Sequence, residues 1–246
     1  MANTNTGGFG LRAVMTVGNT PATSGQSEYP VQTAPGVALF KGNPGSLQDA
    51  NDTGFLQDAS FLLTDDGGAG GTNFAGGTDA NLVGVINGFF YIDGNGNPTF
   101  ANSVAAGQTT SVDYNTGSDN ITGFVIDNPQ QEYVVRTDAA IGANPAAVQA
   151  AMGLDYNIKS FTATDAKSGM STALLEVGAA GANDMFTMVR IAGTPEQKDG
   201  QAAGCDVVVT INPNAAQYNK YLIGCKLQHQ KEKENNFLGI NFQALI

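Results

Sequence analysis

The sequence predicts a mainly β protein: an antiparallel β-sandwich or barrel-like domain with one short helix and extended N- and C-terminal segments. Three observations carry that expectation. Branched and aromatic residues come in short runs, as in Leu82, Val83, Val85 and Ile86 followed by Phe89, Phe90, Tyr91 and Ile92, which suits a pleated, buried surface. Turn chemistry punctuates the runs, and Gly alone supplies 32 of 246 residues. Only 13% of the chain is charged, about half the ordinary share, while 41% is hydrophobic, so a core is expected without charged amphipathic helices around it.

Taken in order, residues 1–8 are polar and Gly-rich and read as a free end. Phe9, Leu11, Ala13, Met15 and Val17 alternate with small or polar residues, which predicts a strand-like arm over 9–17. Pro21, Pro30 and Pro35 mark residues 18–36 as an extended linker. A short strand is expected at 37–41, closed by a turn at Gly42-Asn43-Pro44-Gly45. Residues 46–81 read as irregular, with a glycine-rich tip at 67–71 that lacks the GK[ST] sequel of a phosphate-cradling loop.

Asp93-Gly94-Asn95-Gly96-Asn97-Pro98 then predicts a hairpin from the 82–92 run into Thr99 and Phe100. A second hairpin is expected to join 124–126 to 133–135 around Asp127-Asn128-Pro129. Asn144 as N-cap, Pro145 in the first helical position and Gly153 just past the end predict a helix over 145–152. Strands are expected at 158–164, 173–177, 185–191 and 205–211, the third apolar on both faces. The chain thus divides into an arm and linker (1–36), a β-rich main domain (37–227) and a tail (228–246). The tail closes with Phe237, Leu238, Ile240 and Phe242, an apolar terminus expected to dock on something.

Composition narrows the function. The net charge is −11, and no Lys or Arg occurs between Lys41 and Arg136, so that stretch lacks the cations that nucleic-acid binding requires. The N-terminus has neither a basic start nor an apolar signal core, and no apolar run spans a bilayer, so folding in a cytoplasm without membrane partners is expected. Cys205 and Cys225 make no disulfide framework, and buried thiols are the expectation, with one disulfide as the alternative. His229, the sole histidine, lies in the charged tail without a nucleophile motif. Asp93, Asn95 and Asn97 begin like a calcium loop, but Pro98 stands where that loop needs Gly and Val104 where it needs Glu. The pairs Asp49/Asp52 and Asp65/Asp66 sit on loops without general-acid context. No catalytic residue, metal site or cofactor is therefore expected, and the chain reads as a non-enzyme.

Certain residues also resemble a known family. Phe9-Gly10-Leu11-Arg12-Ala13-Val14 after a polar Asn/Thr start is similar to the opening of capsid decoration, or cement, proteins of tailed and mostly marine bacteriophages. Similar too are Leu82 through Phe100, the Val125-Ile126-Asp127-Asn128-Pro129 stretch followed by Tyr133 and Val135, Ile141-Gly142, Ser168-Gly169-Met170, and Val189-Arg190-Ile191. The resemblance covers residues 2–214 and leaves the end of the chain outside it. It implies a head-stabilising protein on the capsid exterior of a virion, folded in the host cytoplasm, that binds the major capsid protein as a homo-oligomer, with a trimer favoured. Phe9, Leu11, Arg12, Val14, Phe237, Leu238, Ile240 and Phe242 are the candidate capsid or subunit contacts. A glycan-binding or adhesion module on the phage head or tail is the alternative.

Overall fold

A computed structural model describes residues 2–17, 20–21, 25–31, 35–47, 54–59, 82–108, 110, 121–159, 165, 167–178 and 184–213. The chain is mainly β and antiparallel, with one short α-helix among the described residues. The first strands are β1 (Arg12–Thr16), β2 (Thr20–Pro21), β3 (Ser27–Val31), β4 (Leu39–Phe40), β5 (Pro44–Leu47) and β6 (Leu56–Asp58). β7 (Leu82–Ile92), β8 (Pro98–Ala101), β9 (Ser103–Val104), β10 (Ile121–Ile126) and β11 (Gln131–Arg136) follow. The helix α1 (Pro145–Ala150) precedes β12 (Asp155–Lys159), β13 (Leu174–Glu176), β14 (Phe186–Ile191), a 3-10 turn (Pro195–Gln197) and β15 (Asp206–Ile211).

The strands form two large sheets. One runs β13-β12-β14-β15-β11-β1-β2, the other β3-β10-β7-β5-β6 with β8 beside β7, and β4 pairs separately with β9. The packing is sandwich-like. Leu82, Val85 and Ile126 of the second sheet join Tyr133, Val135, Phe186, Met188, Val207 and Val209 of the first in one core. A second core lies on the other side of β7, where Val83, Ile86 and Phe89 meet Val31, Leu39, Val104, Ile121 and Val125. β7 serves both cores because successive side chains of a strand point to opposite faces, and two bulges set which residues face which core. Gly84 faces Gly45 while Leu82 faces Ser46, leaving Val83 extra, and Gly88 faces Phe124 while Ile86 faces Val125, leaving Asn87 extra. Each extra residue resets the two-residue alternation and re-aims the side chains around it.

The hairpin predicted at 82–100 is present, with Phe90 opposite Phe100 and Tyr91 opposite Thr99. Asp93 caps its turn by accepting hydrogen bonds from the backbone N–H groups of Asn95 (2.9 Å) and Asn97 (2.8 Å). The carboxylate of the calcium-like stretch is thereby committed to the turn, and these bonds, led by that from Asn97, hold its pKa below the ordinary value.

The second expected hairpin is absent. β10 pairs with β7 and β3, whereas β11 pairs with β1 and β15, so Asp127-Asn128-Pro129 carries the chain across from one sheet to the other. The crossing is pinned where the Tyr133 hydroxyl donates to the Ile126 carbonyl at 2.9 Å, a buried device of the kind β-sandwiches use at such corners. Local turn chemistry was legible there, but turn residues do not state which strands will pair.

Other boundaries shift for similar reasons. Pro44 and Gly45 lie in β5 rather than in a turn, and the chain reverses at Gly42, whose φ is +91°. The helix ends at Ala150, with Asn144 accepting from Ala147 N at 2.9 Å and Gly153 at φ +83°, as the caps predict. The strand expected at 158–164 is β12, which begins earlier, and residues 160–164 lie outside the described ones. β14 is internal to its sheet but not buried on both faces. A bulge between Met188 and Arg190 pushes Val189 outward to 40% exposure.

The largest correction concerns the arm. β1 is a strand of the first sheet, paired antiparallel with β11 of the same chain, with Arg12 opposite Val134 and Thr16 opposite Gln131. Residues 2–8 are not a free end either, as the next section describes. The boundary drawn at residue 36 therefore does not separate a detached arm from the domain. Part of the linker, β3, is a sheet-edge strand carrying Pro30, a residue suited to an edge because it has no N–H to offer.

Candidate functional site

The N-terminal segment crosses the surface beside the first sheet and is wired to the loop before β15. Asn3 Nδ2 donates to the carbonyls of Asp199 (3.1 Å), Ala202 (3.3 Å) and Ala203 (2.9 Å). Gln197 clasps the next turn of chain: its Oε1 accepts from Thr4 N at 3.1 Å, and its Nε2 donates to Asn5 O at 2.8 Å and to Gly204 O at 2.9 Å. Gly8 is required because a Cβ there would lie 1.9 Å from the Thr172 carbonyl oxygen. Leu11 N then donates to Gly42 O at 2.8 Å and commits the chain to the sheet.

Arg136 is the fastener. Its Nε and Nη2 donate to the two carboxylate oxygens of Asp206 at 2.7 and 3.2 Å, and its Nη1 donates to Gly7 O at 2.9 Å. Both partners are buried, so the bidentate pair is shielded from solvent. Two guanidinium groups approach the Phe9 ring, Arg12 at 4.5 Å and Arg136 at 4.9 Å from its centroid. A cation over a ring face is held by the ring quadrupole, so Phe9 orients Arg12.

These residues border a groove of about 490 Å³ that includes Asn5, Phe9, Arg12, Val14, Val134 and Arg136. Val14 is the extra residue of a β1 bulge and is 39% exposed, and Val17 is 55% exposed. Among the described residues the Arg12 guanidinium meets the Phe9 ring and makes no ion pair or hydrogen bond. The groove thus offers one oriented cation beside the exposed Val14, on a sheet held by the buried Arg136–Asp206 pair. It is suited to an extended partner segment with apolar residues and a carboxylate.

Of the eight contact candidates, Phe9, Arg12 and Val14 come together here. Leu11 does not: it is 3% exposed and belongs to the core, because the strand that places Arg12 outward turns its neighbour inward. Phe237, Leu238, Ile240 and Phe242 lie outside the described residues, as do Cys225, His229, residues 67–71 and the pairs Asp49/Asp52 and Asp65/Asp66. Asn3, Arg136, Gln197 and Asp206 escaped sequence reasoning. The available signal was Arg136 itself, a cation directly after the apolar run Tyr133-Val134-Val135, which demands a partner if the strand is buried.

A second groove of about 500 Å³ lies between α1 and β14. Its Arg190 is already engaged, donating to the Glu132 carboxylate oxygens at 2.9 and 2.5 Å. Among the described residues no three His, Cys, Asp or Glu side chains gather as metal ligands, and no helix is long and apolar enough to cross a membrane.

Cys205 is fully buried and unbridged. Burial, with the nearby Asp206 charge adding to it, pushes its thiol pKa from 9.0 up to about 11. Above pH 9 the unfolded chain ionises this thiol while the folded chain keeps it neutral. Its contribution to stability is therefore complete below pH 9 and lost as pH rises toward 11. In a Cys225→Ser background, Cys205→Ala is expected to remove a drop on the order of 2 kcal/mol in denaturant-derived stability across that window. An equal alkaline drop in both proteins would contradict the assignment.

No protein-family model matches the chain, and no curated protein or solved structure matches it either.

Proposed function

We propose that this chain is a structural protein of a tailed-phage virion that binds the outer capsid surface and stabilises the head by bridging capsid subunits. The observation that supports this reading best is the N-terminal groove: an oriented Arg12, without an ion pair among the described residues, beside the exposed Val14, on a sheet braced by the buried Arg136–Asp206 pair. A cement protein needs such a rigid contact surface, and needs no turnover. The partner is the major capsid protein, which would present an extended segment with a carboxylate to Arg12. A ligand that binds only the assembled shell stabilises it by mass action. Oligomerisation, with a trimer favoured, would add avidity because one engaged subunit raises the effective concentration of the others.

The test is occupancy on the parent particle. Arg12→Glu combined with Val14→Asp is expected to lower occupancy about tenfold or more while leaving thermal unfolding of the free protein unchanged, since both side chains are exposed. Shells lacking the protein are expected to rupture at lower temperature than decorated shells. Equal rupture temperatures, or unchanged occupancy of the double variant, would overturn the reading.

A further inference from the structure

The second sheet carries a groove of a different chemistry, where β8, β7 and β10 lie side by side. It encloses about 340 Å³ and is bordered by Phe100, Phe124, Gln26, Asn87 and Asn102, with Gly88 beside them. Phe100 is 77% exposed, and its ring makes a tilted contact with the Phe90 ring at a centroid distance of 4.8 Å. One exposed aromatic alone marks nothing, but here it borders a concave groove together with Phe124 and three convergent amide side chains, the composition of a ligand site.

The polar border is arranged as well. Asn87 is the extra residue of the second β7 bulge, and such bulges re-aim side chains. Gly88 completes that bulge at φ +152°. Asn87 Nδ2 donates to Gln26 Oε1 at 2.8 Å, which leaves the Asn87 carbonyl as an acceptor and the Gln26 NH₂ as a donor. Asn102 Nδ2 donates to Ser168 O at 3.0 Å, which fixes that amide with its own carbonyl left over. Among the described residues no ionisable side chain borders the groove, and Glu28, opposite Phe124 in register, is acidic.

From this geometry we infer that the groove between β8 and β10 binds a neutral carbohydrate, with Phe100 and Phe124 packing against the C–H faces of pyranose rings and the Asn87, Gln26 and Asn102 amides hydrogen-bonding their hydroxyls. A purely apolar partner would strand three amides, whereas each sugar hydroxyl both donates and accepts. The Glu28 carboxylate and the net charge of −11 oppose sulfated or uronic sugars. The volume suits one or two sugar units at the low end of ligand sites. This site lies on the opposite sheet from Arg12, and its occupancy does not depend on capsid attachment.

The purified full-length protein is titrated calorimetrically with neutral hexasaccharides: cello-, xylo-, manno- and laminarihexaose and N-acetylchitohexaose. At least one is expected to bind, with affinity lowered about tenfold by Phe100→Ala and by Asn87→Ala and retained by Phe100→Tyr. Phe100 is exposed, so unchanged thermal unfolding of the variants separates loss of binding from loss of fold. Absence of heat with all five sugars at millimolar concentration would overturn the proposal, as would binding that survives Phe100→Ala. Sedimentation of the same proteins covers the other occupants. If Phe100→Ala abolishes self-association, or if truncation after residue 236 is needed before any sugar binds, the groove belongs to a second copy or to the chain's own apolar terminus, and the carbohydrate reading is overturned.

Discussion

A chain lacking residues 1–20 is expected to lose its cooperative thermal transition, not merely its attachment to a partner. The deletion removes β1 from the edge of β11 and uncovers that strand's backbone groups. It withdraws Leu11 from the core, and burying one such side chain contributes about 1.5–3 kcal/mol. It also strips Arg136 of Gly7 O and Phe9, and Gln197 of Thr4 and Asn5. Together these losses approach the roughly 5–15 kcal/mol by which a domain is stable at all. Circular dichroism melting of the truncated chain checks this. A sharp transition near that of the full protein would show that the segment is dispensable, as a detached arm would be. A milder truncation, removing only residues 1–8, should retain the transition at a lower midpoint, because β1 and Leu11 remain.

Arg136→Ala is expected to destabilise the protein by about 3–5 kcal/mol, measured by chemical denaturation. The reason is less the attraction that is lost than the charge that remains. Asp206, 8% exposed, would stay buried without its guanidinium, in a strand whose neighbours are apolar. The double variant Arg136→Ala with Asp206→Ala should therefore cost less than the sum of the single changes. Arg136→Lys should not restore stability, because an ammonium group cannot span both carboxylate oxygens and Gly7 O in the same fixed fork. A single-variant cost within about 1 kcal/mol would mean that water or a shifted side chain compensates the aspartate, contrary to the geometry seen here.

Much of this fold was legible in the residues themselves. β7 and β8, the Asn97-Pro98 turn, the Asn144 cap and β15 all declare their structure locally, through alternation, turn chemistry or capping. What did not declare itself was pairing at long range. Val125 and Tyr133 read as two arms of one hairpin because only seven residues separate them, yet they serve different sheets. Bulges were equally silent. Val14, Asn87 and Val189 each interrupt the alternation by one residue, and a two-residue period read straight through them misplaces every side chain beyond. The candidate surface was legible only in part for the same reasons. Phe9, Arg12 and Val14 were named, but their supports Arg136, Gln197 and Asp206 lie more than a hundred residues further along, where sequence gives no sign of adjacency.

That separation has a consequence for how the protein is made. Asn3 is held by residues 199 and 203, and Phe9 by an arginine whose own partner is Asp206. During synthesis the first strand has only β2 to pair with until β11 has emerged, and the groove around Arg12 is unfinished until the loop before β15 has left the ribosome. Folds closed by such distant pairings form late and slowly. Nascent chains that stop short of Asp206 would therefore lack the finished groove. The order of synthesis itself thus delays completion of this groove until more than two hundred residues have been made.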